Sequence, residues 1–201
     1  MIMNEAVQIK SYPPPAFDVK EAARYLGDKK PTAETYSLIE KYWSIAEKSF
    51  TYKVAYRIFS VKTGEDFVNF PFAVVHSKNL AKCLEGCTRA LIFGATVGIG
   101  ADRLISRYAN TLPSGALTVD AIATERIESL CDTFCNELEE GGLNLTPRFS
   151  PGYGDLGLEH QRVIFDVLDL PRKIGITLNE SLIMSPSKSV TAIIGIKSVS
   201  D

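Results

Sequence analysis

Apolar residues recur along this chain with two periods, and the switches between them outline its elements. Pro13-Pro14-Pro15 exclude helix and central strand from the N-terminal stretch. Asp18 then precedes a short helical pattern that runs to about Leu26 and stops at Gly27. Thr32 opens a longer helix, with Ile39, Trp43 and Ala46 at helical spacing. Tyr52 to Val61 is rich in Tyr, Val, Ile and Phe and reads as a strand. A turn at Thr63-Gly64-Glu65 leads to a second strand, Phe67 to Phe72, and the short separation predicts an antiparallel hairpin. Ser77 to Leu84 reads as helix, Arg89 to Ala95 as an apolar strand, and Ala101 to Ala109 as helix after a glycine turn. Ser114 to Glu140 contains one long helix, ended by Gly141-Gly142. Leu158 to Leu168 is helical, and Leu182 to Met184 and Val190 to Ile196 are strands around the turn Ser185-Pro-Ser-Lys188, which predicts a final hairpin.

No repeat, low-complexity tract or linker interrupts this series, so the expectation is one α+β domain over residues 1–201 with a largely antiparallel, twisted sheet and surrounding helices. A chain of 201 residues that is 45% hydrophobic and 23% charged buries an ordinary core. Lys and Arg total 22 against 24 acids, a net charge of -2, which gives no support for nucleic acid or an anionic membrane as partner. No apolar run approaches the length of a bilayer span. The first residues, Met-Ile-Met-Asn-Glu-Ala, lack the basic and apolar regions of a secretory signal. The expectation is a cytoplasmic protein, in which the sequons at Asn144 and Asn179 have no meaning.

Cys83, Cys87, Cys131 and Cys135 form two pairs at i, i+4, a spacing that puts both thiols on one face of a helix. With only His76 and His160 to assist, a zinc site is disfavoured, and the plainer reading is small buried residues on two helices. Gly94-Ala-Thr-Val-Gly-Ile-Gly100 lies between strand and helix, a context that suits anion binding. It resembles the nucleotide turn of short-chain dehydrogenases. However, about 90 residues precede it, and the only Tyr-x-x-x-Lys, Tyr25 to Lys29, comes before it. A tight turn with close packing is the simpler account. In the long helix Glu128, Asp132 and Glu125 recur at helical spacing, with Leu130 and Phe134 on an apolar face. A solvated charge stripe is the usual meaning, although Glu128 is placed to point into a cleft and meet an ammonium group. Arg148-Phe-Ser-Pro-Gly-Tyr153 then combines a planar guanidinium fork, a glycine that permits close backbone approach and an amphipathic ring, which together suit a small zwitterion.

In this order the pieces resemble the activation domain of cobalamin-dependent methionine synthase. That family has an Arg-x-x-x-Gly-Tyr loop, here Arg148 to Tyr153, and a segment like Ile-Gly-Met-x-Leu-Thr-Glu-Ser-x-x-Met-x-Pro-x-x-Ser-Val-Ser, here Ile174 to Thr191. Ala95-Thr-Val-Gly98 resembles a family turn, and Ile127-Glu-Ser-Leu-Cys-Asp132 resembles the helix whose glutamate faces the ligand. The likeness covers roughly residues 80–196, with residues 1–80 adding N-terminal helices and a hairpin. It departs after Tyr153, where the family's Pro-x-x-Pro-Asp-His is replaced by Gly-Asp-Leu-Gly-Leu-Glu-His160. A family His-Pro-x-Ser stretch and its tyrosine-bearing strand have no counterpart before Asp201, and Asp18 is the nearest match to an N-terminal acidic contact. With no methyltransferase, folate or cobalamin-binding module in this sequence, the resemblance is to a free-standing activation domain.

The resemblance implies a module that binds S-adenosylmethionine and supports reductive methylation of cob(II)alamin to methylcobalamin. The cobalamin would be carried by a partner, either a methionine synthase subunit or another corrinoid protein, and a flavodoxin-like donor would supply the electron. It implies ligand contacts from Arg148, Ser150, Gly152, Tyr153 and Glu128, with no catalytic acid, base or nucleophile and no metal ligand. Arg148 would take the carboxylate, Glu128 the ammonium, Pro151 and Gly152 would shape the loop, and Tyr153 would face the cobalamin. The alternatives are a docking module for a corrinoid protein that no longer binds S-adenosylmethionine, and a reactivator of another corrinoid methyltransferase.

Overall fold

The computed structural model describes residues 6–197. In chain order its elements are β1 (Gln8–Tyr12), α1 (Val19–Tyr25), α2 (Ala33–Ala46), β2 (Tyr52–Ser60), β3 (Lys62–Thr63), β4 (Phe67–Phe70), β5 (Ala73–His76), α3 (Lys78–Cys83), β6 (Cys87–Thr96), α4 (Gly100–Ala109), α5 (Pro113–Glu140), β7 (Asn144–Leu145), α6 (His160–Leu168), α7 (Leu170–Lys173), β8 (Thr177–Leu178), β9 (Met184–Ser185) and β10 (Ser189–Lys197). The main sheet is antiparallel throughout, with strand order β1-β2-β6-β10-β7. The pattern is α+β, with helices packed on an antiparallel sheet.

β6 and β10 read as continuous apolar runs because both of their faces are covered. Leu91, Phe93, Ala95, Ala192, Ile194 and Ile196 join one hydrophobic layer with residues of α1, α2, α4 and α5. Their alternates Ala90, Ile92 and Ile193 join a second layer with Val68, Leu80, Ile164, Leu168 and Leu170. Each large side chain fully withdrawn from water contributes roughly 1.5–3 kcal/mol, so both layers are needed to hold the central strands. Gly94 fits this sandwich closely: a Cβ there would come within 2.7 Å of the Leu170 side chain, which would have to shift.

Asp18 caps α1 as its position predicts, and Thr32 and Ser77 cap α2 and α3 in the same way, by side-chain hydrogen bonds to the first turns. α5 has 28 residues, long enough at 1.5 Å per residue to cross the whole sheet (~42 Å). Leu130 and Phe134 are fully buried on its sheet-facing side.

Strand pairing corrects the sequence reading at several points. β1, unseen in the sequence, is an edge strand beside β2, and its Lys10 and Tyr12 bond Glu137 on α5. β2 forms no hairpin with residues 67–72: it pairs with β1 and β6, and the 63–65 turn joins β3 to β4 in a separate three-stranded sheet. The final hairpin is also absent. β9 pairs with β8, while β10 inserts between β6 and β7. In both places the nearest strand in sequence was displaced by a longer apolar strand that buries more area. Cys83 ends α3 whereas Cys87 begins β6, so that pair does not share a helix; Cys131 and Cys135 do.

Glu125 is a further correction, for it is buried rather than solvated. It pairs with the neighbouring Arg126, which has no exposed surface at all. Arg126 also donates to the carbonyls of Pro15 (2.7 Å) and Ala16 (2.8 Å). Its guanidinium lies 5.0 Å from the Phe17 ring and 5.1 Å from the Trp43 ring. Removing one partner of such a pair strands the other charge out of water. Arg126→Ala is therefore expected to lower unfolding free energy by about 3–5 kcal/mol, read as a drop in the urea midpoint. Arg126→Met combined with Glu125→Gln should lose less than Arg126→Ala alone.

Candidate functional site

The segment after β7 is built onto the edge of β10. Thr146 N–H donates to the Gly195 carbonyl (2.9 Å), and Gly195 N–H returns a bond to the Thr146 hydroxyl (2.8 Å). Phe149 and Ile193 then exchange both backbone bonds, at 2.9 and 2.8 Å. Alternation along this extended stretch sends Phe149 to the second layer with Ile193 and places Arg148 and Ser150 on the α5 side. The chain turns at Pro151-Gly152. Gly152 has φ +92°, a conformation that favours glycine, and its N–H donates to the Leu156 carbonyl at 2.8 Å. Tyr153 N–H donates to Ser150 O at 3.1 Å, and Tyr153 is left 71% exposed.

Asp155 fastens the far end of the loop. Its carboxylate accepts from the Ser77 hydroxyl and from the N–H groups of Lys78 (2.8 Å) and Asn79 (3.2 Å) at the start of α3. The Ser77 hydrogen bond and these amides hold the Asp155 carboxyl below its ordinary range.

The guanidinium of Arg148 meets two carboxylates of α5. Its Nη2 lies 2.9 Å from Glu128 Oε2 and 3.0 Å from Asp132 Oδ1. Its Nη1 is buried and has no hydrogen-bond partner. Arg148 and Glu128 are thus brought together although 20 residues apart in sequence, with Ser150, Gly152 and Tyr153 continuing the same loop. A cation with a spare donor beside two anions is an arrangement that pairs with both ends of an amino acid.

The fold is shared with a known reactivation domain. The crystal structure of the MetH reactivation domain bound to AdoHcy superimposes with a TM-score of 0.68 at 16% identity, covering 98% of this chain and 80% of that one. No protein-family model and no curated protein matches the chain.

The Gly94–Gly100 turn follows the packing account. Two of its amides are used internally, Val97 N–H to Lys188 O (3.2 Å) and Gly98 N–H to the Thr96 hydroxyl (3.1 Å). A Cβ at Gly100 would fall 1.9 Å from the Ser49 carbonyl oxygen. Lys188, in the turn before β10, is held by Asp120 (2.8 Å) and Thr124 (2.9 Å) on α5. Asp18 spends its carboxylate on the N-cap of α1. Among the described residues no helix is long and apolar enough to cross a membrane, and no group of three or more His, Cys, Asp and Glu is placed to hold a metal ion.

Two neighbours of the site were not picked out as ligand contacts from sequence. Asp132 was visible only as a charge one turn from Glu128. Tyr25, at the end of α1, carries a hydroxyl pushed up first by burial and then by the negative charge of Glu128, a proximity that exists only in the fold. Burial pushes the Cys135 thiol up to about 11 and Cys131 higher still, against the pull of Arg148, so both stay protonated at neutral pH.

The Asp155 clamp has a pH signature. Its native value lies below the 3.8 of a free carboxyl, so the unfolded loop binds more protons. The clamp's contribution is complete above 3.8 and is lost as pH falls through the lower native value. The hydrogen-exchange protection factors of Gly152 and Leu156 should fall over that acid window, and in Asp155→Ala they should already be reduced at neutral pH.

Proposed function

We propose that this chain binds S-adenosylmethionine at the Arg148 loop and serves as a reactivation module for a corrinoid protein. The observation that carries this reading is the convergence of Arg148 with Glu128 and Asp132 at 2.9 and 3.0 Å, with one guanidinium donor still unpartnered. The likeness in fold to a reactivation domain bound to AdoHcy supports the same ligand class.

In this reading Arg148 takes the ligand's carboxylate and Glu128 takes the ammonium group. Ser150 and the turn at Gly152 present loop backbone to the adenosyl group, and exposed Tyr153 lies on the side that meets the corrinoid partner. The ligand supplies an electrophilic methyl group, the partner's cobalamin the metal, and a flavodoxin-like donor the electron. The chain's own contribution is orientation, which requires no acid, base or nucleophile. The partner most consistent with this role is a cobalamin-binding methionine synthase subunit.

A second reading is favoured by one observation: Arg148 is already neutralised by two internal carboxylates. In that reading the chain docks on a corrinoid protein without holding the ligand. Calorimetry separates the two. S-adenosylmethionine should bind the wild-type chain, and Arg148→Ala should weaken binding by about tenfold or more with unchanged circular dichroism. Absence of binding with and without a cobalamin-loaded partner, or reactivation unaffected by Arg148→Ala, would select the docking role.

A further inference from the structure

We infer that Asp132 is a charge-selecting residue, which makes the Arg148 site favour a sulfonium cation over the corresponding neutral thioether. This rests on the S-adenosylmethionine reading above. A ligand with ammonium, carboxylate and sulfonium groups carries one net positive charge. Its demethylated thioether carries none. The two differ otherwise by a single methyl group, and shape alone discriminates weakly at that level.

The site is built with an excess of negative charge. Glu128 by itself would balance Arg148, but Asp132 shares the same Nη2, and the three side chains together carry a net charge of -1. Glu128 and Asp132 stand one helical turn apart, a spacing at which like charges repel, so a second cation is welcome there. Arg24, the cation over the neighbouring Tyr25 ring, is already paired with Glu21 and leaves this excess in place. Burial keeps the Cys131 and Cys135 thiols protonated, and the Tyr25 hydroxyl stays neutral. Both carboxylates converge on Nη2 and leave Nη1 buried without an acceptor. The guanidinium therefore keeps hydrogen-bonding capacity that α5 does not use, while its charge is already more than offset. Asp132 is two-thirds exposed, so its charge acts through partly screened surroundings. One unit of charge within two or three contact distances then favours the cation by about fivefold.

The test is calorimetry on the full chain with S-adenosylmethionine and S-adenosylhomocysteine, for the wild type, Asp132→Asn, Asp132→Glu and, as a control, Glu65→Gln on the exposed β3–β4 turn. The wild-type ratio of affinities should favour the sulfonium and shrink as salt is raised. It should fall about fivefold in Asp132→Asn, return in Asp132→Glu and stay unchanged in Glu65→Gln. An unchanged ratio in Asp132→Asn overturns the inference. Equal strengthening of both ligands also overturns it, since Asp132 would then only compete with the ligand for Arg148. If the wild type binds neither ligand, the S-adenosylmethionine reading itself falls and the inference with it, an outcome distinct from the other two.

Discussion

The fully buried guanidinium of Arg126 governs much of what surrounds it. A charge with no access to water must find every partner inside the protein. Here the partners come from three parts of the chain: Glu125 beside it, the Pro15 and Ala16 carbonyls of the proline-rich segment, and the aromatic faces of Phe17 and Trp43. Phe17 and Trp43 stack at 4.5 Å, and Phe50 continues the stack, which ties the entry to α1 and the end of α2 to α5. Glu125 also accepts from the Asp18 amide and the Ser129 hydroxyl. These contacts set the roll of α5 about its axis. With that roll fixed, Leu130 and Phe134 press on the sheet while Glu128 and Asp132 arrive beside the β10 edge. The Arg148 loop therefore depends on a charge pair it never touches.

Local signals survived into the structure where a short stretch decides its own conformation. Asp18, Thr32 and Ser77 cap helices, and Gly141 closes α5, because each choice involves a few neighbouring backbone groups. Partnering between strands is different. The turn at Thr63–Glu65 invited a hairpin with the strand before it, yet β2 is claimed by β6, whose ten residues bury far more surface than β4 offers. The same competition separated β9 from β10. β1 escaped notice because its half-exposed alternation is short and ends against three prolines.

The candidate site divides along the same line. Arg148, Ser150, Gly152 and Tyr153 lie within six residues and were legible as one loop; Gly152 adopts the positive φ that such a turn requires. That Glu128 should sit beside Arg148 came from the resemblance to a known activation domain rather than from any local pattern. Asp132 and Tyr25 joined the group only through the roll of α5 and the docking of α1. Glu125 was misjudged because a carboxylate at helical spacing looks solvated until a buried arginine is found next to it.

The bridge between Phe149 and Ile193 sets an order of assembly. β10 lies between β6 and β7 in the sheet but is made after both. On the ribosome, α5 and the Arg148 loop emerge before the strand that carries the loop. Until β10 inserts, Thr146 and Phe149 have no edge to bond, and nothing aims Arg148 at the two carboxylates of α5. The Arg148 loop is thus among the last features to take shape during synthesis, and a nascent chain released before β10 would keep its helices and lack the candidate site.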